Sequence, residues 1–261
     1  MIDPDAVLRD VFSHRAFIPF ITCGDPDIGT SEKIVRTLAS AGADLIELGL
    51  PFSDPIAEGP VIQNADVRAL ASNTTTDDIF DMAMRIREDL DVPMLIMTYF
   101  NPVFVYGCER FLQRCEDAGI CALIVPDLPY EEKADIQECC TRHNVRLISM
   151  IAPTSEGRIS EIASHAEGFI YVVSSMGVTG TRTQFSSDVE GMVSTLRKAT
   201  DLPCAVGFGI STPEQARRMT DFADGAIVGS AIVKIIEKHG TECVPFVEEY
   251  VRGMRAALDA E

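Results

Sequence analysis

No apolar run in this 261-residue chain approaches the roughly 20 residues needed to span a bilayer. Residues 1–15 lack the basic start and apolar core of a secretion signal, so a cytoplasmic protein is expected. Basic residues are scarce: 22 Lys and Arg stand against 40 Asp and Glu, a formal charge of −18. Such a surface repels nucleic acid and anionic lipid, which argues against both as partners. The acidic excess serves solubility or reflects a salty cytosol. No Gly/Ser-rich linker or low-complexity stretch divides the chain. Residues 1–261 therefore read as a single domain, long enough to bury a core without staples.

Histidine is also sparse, and cysteine lacks useful spacing. His14, His143, His165 and His239 lie near predicted helix ends and away from glycine loops, which suits capping or solvated roles better than catalysis. None of the eight cysteines stands in the repeated two-residue pairs of a zinc site. Cys23, Cys121 and Cys204 fall in or beside apolar runs, where a thiol packs as a small hydrophobe. All eight are read as structural, and no metal is expected.

What is present is a repeat of short apolar runs. They cover residues 17–22, 44–48, 93–97, 122–125, 146–151, 168–173, 203–206 and 225–228. Most are continuously apolar instead of alternating, as strands covered on both faces are. Amphipathic stretches at 31–40, 77–90, 109–118, 131–143, 155–164, 188–198, 212–219 and 231–238 predict helices between them. Pro213 beside Thr212 marks a helix start, and Gly42, Gly119 and Gly240 mark helix ends. Eight such units predict an α/β fold, a (β/α)8 TIM barrel, with an extra N-terminal helix at 4–14 and a C-terminal helix at 243–257. An open doubly wound sheet is the alternative.

In a barrel the active site lies at the C-terminal ends of the strands. Glu47 ends the second apolar run, and Glu58 follows it across the Pro-rich loop Leu50-Pro51-Phe52-Ser53-Asp54-Pro55. Two acids at a sheet mouth suit proton transfer, because burial and mutual repulsion push their pKa values apart. An acid that merely caps the next turn is the plainer reading of Glu47. Glycines cluster after the last three strands: Gly177-Val178-Thr179-Gly180, Gly207-Phe208-Gly209-Ile210-Ser211 and Gly229-Ser230. Their backbone N–H groups, with a helix N-terminus, can grip phosphate without Lys or Arg. The polar segment 174–188 is long for a βα loop and reads as a lid over the substrate.

These stretches, together with Pro19-Phe20-Ile21-Thr22-Cys23-Gly24-Asp25-Pro26, residues 47–63, Pro126-Asp127-Leu128-Pro129 and Tyr171-Val172-Val173-Ser174, resemble the tryptophan synthase alpha chain family along nearly the whole length. The resemblance implies cleavage of indole-3-glycerol phosphate to indole and glyceraldehyde 3-phosphate. It implies that Glu47 is the general acid/base and Glu58 the second carboxylate, in place of the Asp of better-known members. That extra methylene implies either a loop set back to compensate or low intrinsic activity. It implies an indole pocket of Phe20, Met97, Ile124 and Phe208, residues that pattern alone assigns to the core. Tyr171 is implied near the reacting centre, Thr179 and Gly180 in the lid, and Gly209, Gly229 and Ser230 at the phosphate. Ser175 replaces a frequent arginine, with Arg182 as a nearby substitute. The partner implied is a pyridoxal-phosphate beta chain in an alpha2beta2 assembly, met through Asp54, Asn101, Asp127 and Pro129; the chain itself is expected to carry no cofactor. A regulatory subunit with weak chemistry, a stand-alone lyase and another phosphate-binding barrel are the competing readings.

Overall fold

The computed structural model describes residues 2–173, 182–207 and 209–260. Nine strand segments form one all-parallel sheet: β1 (Ala16–Thr22), β2 (Ile46–Gly49), β3 (Met94–Met97), β4 (Ile120–Ile124), β5 (Arg146–Leu147), β6 (Ser149–Ile151), β7 (Ile170–Val173), β8 (Cys204–Gly207) and β9 (Gly225–Val228). Their lateral order is β5-β4-β3-β2-β1-β9-β8-β7-β6. The two end segments, β5 and β6, are halves of one predicted strand interrupted at Ile148. The first half pairs with β4 and the second with β7, while the Ile148 N–H donates to the Leu123 carbonyl at 2.9 Å. Chain continuity across Ile148 therefore closes the sheet into a barrel of eight strand positions, the predicted architecture.

Alternation along each strand separates two apolar layers. Ile18, Phe20, Leu45, Leu95, Met97, Ala122, Ile124, Phe169, Tyr171, Ala205 and Ile227 belong to one cluster inside the barrel. Phe17, Ile21, Ile46, Leu48, Ile96, Leu123, Val172, Val206 and Val228 belong to the layer beneath the helices. Burial on both faces is why the runs read as continuously apolar. Helix Pro4–Val11, capped by the Asp3 carboxylate, closes the N-terminal end by placing Leu8 and Val11 in the inner cluster. Phe12 continues this plug against Phe169, with ring centroids 5.2 Å apart. Helix Val244–Asp259 buries Val247, Val251, Met254 and Leu258 on the outside.

The elements depart from the pattern-based reading in four places. Asp44 is not in a strand; its carboxylate accepts the Phe17 N–H at 2.7 Å and pairs with Arg255 at 2.8 Å and His14 at 2.9 Å. Two additional helices occur, Pro60–Ala71 and Phe100–Tyr106. Helix Arg182–Ala199 begins well inside the segment expected to be an extended lid loop, so residues 182–188 are helical. No helix among the described residues is long and apolar enough to cross a membrane.

Candidate active site

Glu47 lies in β2 between Phe20 of β1 and Leu95 of β3. Strand alternation places it two residues beyond inward-facing Leu45, and its side chain is only 1% exposed. Neither carboxylate oxygen has a hydrogen-bond partner among the described residues. A carboxylate so placed is costly to ionise. Burial first, and then the negative charge of Glu58, raise Glu47 to about 8. It is therefore a neutral acid near pH 7, not a turn cap.

Glu58 is half-buried in the turn that precedes helix Pro60–Ala71, and burial raises it to about 7. The loop carrying it is held from both sides. The Tyr99 hydroxyl accepts the Ala57 N–H at 2.9 Å, and the Tyr99 ring stacks on Phe52 with centroids 5.2 Å apart. Behind it, the Gln63 side-chain amide donates to the Glu58 carbonyl at 2.9 Å. Pro60 at the first helical position and Gly59 before it explain why the chain turns into a helix there.

A third acid, Asp66, joins these two and was not anticipated. It is 5% exposed on the face of helix Pro60–Ala71 that also buries Ile62, Ala65 and Ala69. Burial, then the charges of Glu58 and Asp25, raise it to about 8, against a hydrogen bond from the Phe52 N–H. Asp66 thereby ties the loop carrying Phe52 and Glu58 to the helix behind it. Asp25 makes a two-point pair with Arg68, at 2.8 Å for each contact. The signal for Asp66 was a polar residue in an apolar stripe of spacing three and four, on a helix that pattern reading had missed.

Apolar walls stand beside the acids. Phe20 is 7% exposed, Met97 6% and Ile124 fully buried, all in the inner cluster. Glycines shape this space: a β-carbon on Gly49 would lie 2.6 Å from the Phe20 ring, and one on Gly229 would lie 3.0 Å from it. Tyr171, on β7, is buried; burial and then Glu47 and Glu58 push its phenol upward, so it shares their electrostatic surroundings. Gly209 has φ +76°, the left-handed region open to glycine. Gly229 precedes the ten-residue helix Ser230–His239, whose N-terminus opens at the end of β9 with Ser230 exposed. A cavity of about 1130 Å³ opens at this rim, lined in part by Glu58, Met97, Val173, Gly209 and Ser211. Glu47 lies off its lining, deeper in the barrel. Thr179, Gly180 and Phe208, with Ser175, lie outside the described residues.

The four candidate interface residues fall in the segments that follow β2, β3 and β4, with Asn101 in the first turn of helix Phe100–Tyr106. Asp54, Asn101, Asp127 and Pro129 are all exposed. Asp127 also accepts the Phe100 N–H at 2.9 Å, tying the β4 loop to helix Phe100–Tyr106. Large apolar side chains are exposed in the same segments: Ile56 is 82% exposed, and Phe104 and Val105 of helix Phe100–Tyr106 are 70% and 76% exposed.

Comparison with known proteins bears on this geometry. Residues 10–258 match the family model described as tryptophan synthase alpha chain. A tryptophan synthase alpha chain of Lacticaseibacillus casei is 47% identical over 255 residues, covering 97% of this chain and 96% of that one. The crystal structure of tryptophan synthase subunit alpha from Legionella pneumophila str. Paris superposes with a TM-score of 0.89 at 34% identity, covering 99% of each chain. An aminoacrylate-bound tryptophan synthase from M. tuberculosis gives a TM-score of 0.87 at 28% identity, covering 97% of this chain and 99% of that one.

Proposed function

Since the chain belongs to the tryptophan synthase alpha chain family, whose reaction cleaves indole-3-glycerol phosphate by a retro-aldol step, we propose that Glu47 is the acid/base of that cleavage. The observation that carries this reading is a buried carboxyl at the barrel mouth, without a hydrogen-bond partner among the described residues and neutral at pH 7. Neutral Glu47 gives its proton to the indole ring carbon bearing the glycerol chain. The carboxylate so formed takes the proton of the adjacent side-chain hydroxyl. The O–H electrons become the aldehyde C=O, the carbon–carbon bond breaks, and its electron pair returns to the ring. Glu47 ends as it began, and indole and glyceraldehyde 3-phosphate are released.

Glu58 acts as the ionised partner. Its carboxylate accepts the indole N–H and balances the positive charge that ring protonation creates. The two roles need opposite protonation states, and their environments favour that split, with Glu58 near 7 and Glu47 near 8. Glu58 carries an extra methylene, yet its charge is felt by Glu47, Asp66, Tyr99 and Tyr171, as expected of a carboxylate aimed into the site. That favours an active lyase over a regulatory subunit. Phe20, Met97 and Ile124 form the indole walls, Tyr171 flanks the reacting centre, and Gly209, Gly229 and Ser230 bind phosphate through backbone N–H groups and a hydroxyl. Thr179, Gly180 and Phe208 complete the lid and pocket in this reading.

The partner is a pyridoxal-phosphate beta chain in an alpha2beta2 complex of the cytoplasm. Exposed Ile56, Phe104 and Val105 beside Asp54, Asn101, Asp127 and Pro129 make a rim of apolar anchors and polar contacts suited to it. The experiment is to incubate the pure chain with indole-3-glycerol phosphate and assay indole, with and without a beta chain. Indole formation that rises on addition of the beta chain is expected. No indole in either arm contradicts the lyase assignment, and equal rates with no association favour a stand-alone enzyme.

A further inference from the structure

Away from the barrel mouth, helices Cys108–Asp117 and Ala134–Arg142 lie side by side on the outer face of the barrel. Their facing surfaces carry an unusual set of groups. Glu109, Cys139 and His143 each offer a donor atom, and these atoms all lie within 4.8 Å of one another. His143 Nε2 is 2.9 Å from Glu109 Oε2, while its Nδ1 is 3.0 Å from Glu116 Oε2. Cys108, which precedes Glu109 in the first turn of the other helix, neighbours Cys139 but stands outside this triad. Cys139 is 2% exposed, Cys108 is half-buried, and all the cysteines are free.

We propose that Glu109, Cys139 and His143, with Cys108 drawn in as a fourth ligand, form a binding site for a thiophilic divalent cation such as zinc, which would clamp these two helices together. Four observations support it. The donor set of two thiols, an imidazole and a carboxylate suits zinc or cobalt and not magnesium or calcium. Tetrahedral zinc with bonds of about 2.0–2.3 Å separates its ligands by roughly 3.3–3.8 Å. The His143–Glu109 pair is already closer than that, and the rest of the triad needs a contraction of about 1 Å. Glu116 on Nδ1 is the outer carboxylate that fixes a metal-binding histidine with its other nitrogen facing the ion. Arg142 pairs with Glu109 through Oε1 and leaves Oε2 toward His143.

The ion binds the cysteines as thiolates, so loading the site releases thiol protons to solvent. The hydrogen bond between His143 and Glu109 gives way to two metal–ligand bonds at the same place. The sequence clue is Cys139-x-x-x-His143, one helical turn apart on one helix face, completed by residues from the preceding helix instead of a second cysteine pair.

The test is titration of the reduced, chelator-stripped full chain with Co²⁺, followed by competition with Zn²⁺. A single equivalent of cobalt is expected to bind with a thiolate-to-metal band in the near ultraviolet, to be displaced by zinc, and to release protons. Cys108→Ala and His143→Gln each remove the band or weaken binding at least tenfold, and Glu116→Gln weakens it roughly 10–100-fold. Half-buried Cys108 is the safer variant, because Cys139→Ser disturbs the packed interior. Circular dichroism on each variant separates loss of the site from loss of fold. Cobalt bound without a thiolate band, affinity unchanged in folded Cys108→Ala and His143→Gln, or no saturable binding at all overturns the proposal.

Discussion

Gly207 lies directly against Tyr171: a β-carbon at 207 would sit 2.3 Å from the Tyr171 hydroxyl oxygen and 2.6 Å from two ring carbons. The glycine of the strand-8 end is thus a space requirement for the tyrosine of strand 7, and Tyr171 in turn shares the electrostatic surroundings of Glu47. Gly207→Ala forces the ring to move. A misplacement near 1 Å in a catalytic site costs on the order of 10²-fold, and overpacking costs about 1–3 kcal/mol of stability. We expect indole formation to fall at least tenfold in a soluble, folded variant. Adding Tyr171→Phe removes the closest clash and is expected to restore part of the lost stability, read by thermal unfolding of the single and double variants.

The three acids make stability depend on pH in an unusual direction. Glu47 and Asp66 rise to about 8 and Glu58 to about 7 in the folded chain, from 4.5 or 3.8 when unconstrained. The folded state therefore binds these protons more tightly than the unfolded state. Their contribution is fully present below the unfolded pKa values and is lost as pH rises through the folded ones. Urea unfolding of the isolated chain is expected to show stability falling from about pH 5 to about pH 8, by a few kcal/mol at most after relaxation. Glu47→Gln flattens this slope by removing one of the buried contributors. A profile that rises across that interval contradicts it.

The same values shape the rate. The proposed mechanism needs Glu58 ionised and Glu47 neutral, so kcat/KM for the free chain is expected to be bell-shaped, rising near pH 7 and falling near pH 8. Repulsion links the two groups, so the limbs belong to the pair. Glu47→Asp, which draws the carboxyl back toward the β2 backbone, lowers the maximum. Glu58→Gln abolishes the acid limb. A profile that keeps that limb in Glu58→Gln assigns it elsewhere.

Asp66 is expected to position and not to react. Asn at 66 keeps an oxygen for the Phe52 N–H, so Asp66→Asn is expected to leave kcat within a few-fold. Asp66→Leu loses that acceptor and frees the loop that holds Glu58, with at least a tenfold loss in kcat/KM. Steady-state kinetics on the pair discriminates: equal large losses in both variants make the carboxyl itself essential.

Much of this was legible because barrel strands are buried on both faces, so runs such as Met94–Met97 and Ile170–Val173 stand out against amphipathic helices. The depth of Glu47 was less legible, because an acid at a strand end can equally cap the next turn; its burial is a finding of the structure. The interruption at Ile148 was not legible, because one displaced residue leaves the apolar pattern of 146–151 intact. Helix Pro60–Ala71 was hidden by Pro51, Pro55 and Pro60 before it and by Asp66 within its apolar face, and Asp66 was missed with it. Helix Phe100–Tyr106 has only seven residues and exposes Phe104 and Val105, so it shows no amphipathic period. The cluster of Glu109, Cys139 and His143 escaped a search for cysteine pairs because its members come from two helices and only one of them is a cysteine.

The central claim is that the neutral, buried carboxyl of Glu47 carries the proton of the cleavage. The most direct measurement is single-turnover indole formation from indole-3-glycerol phosphate by the wild-type chain and by Glu47→Gln, each saturated with beta chain. The amide is nearly isosteric with the acid and cannot donate and retake a proton. The account expects Glu47→Gln to bind substrate and partner with its fold intact while the chemical step slows by at least about 10³-fold, within the span of general acid–base catalysis. A chemical step within tenfold of wild type in the folded, partner-bound variant would contradict it.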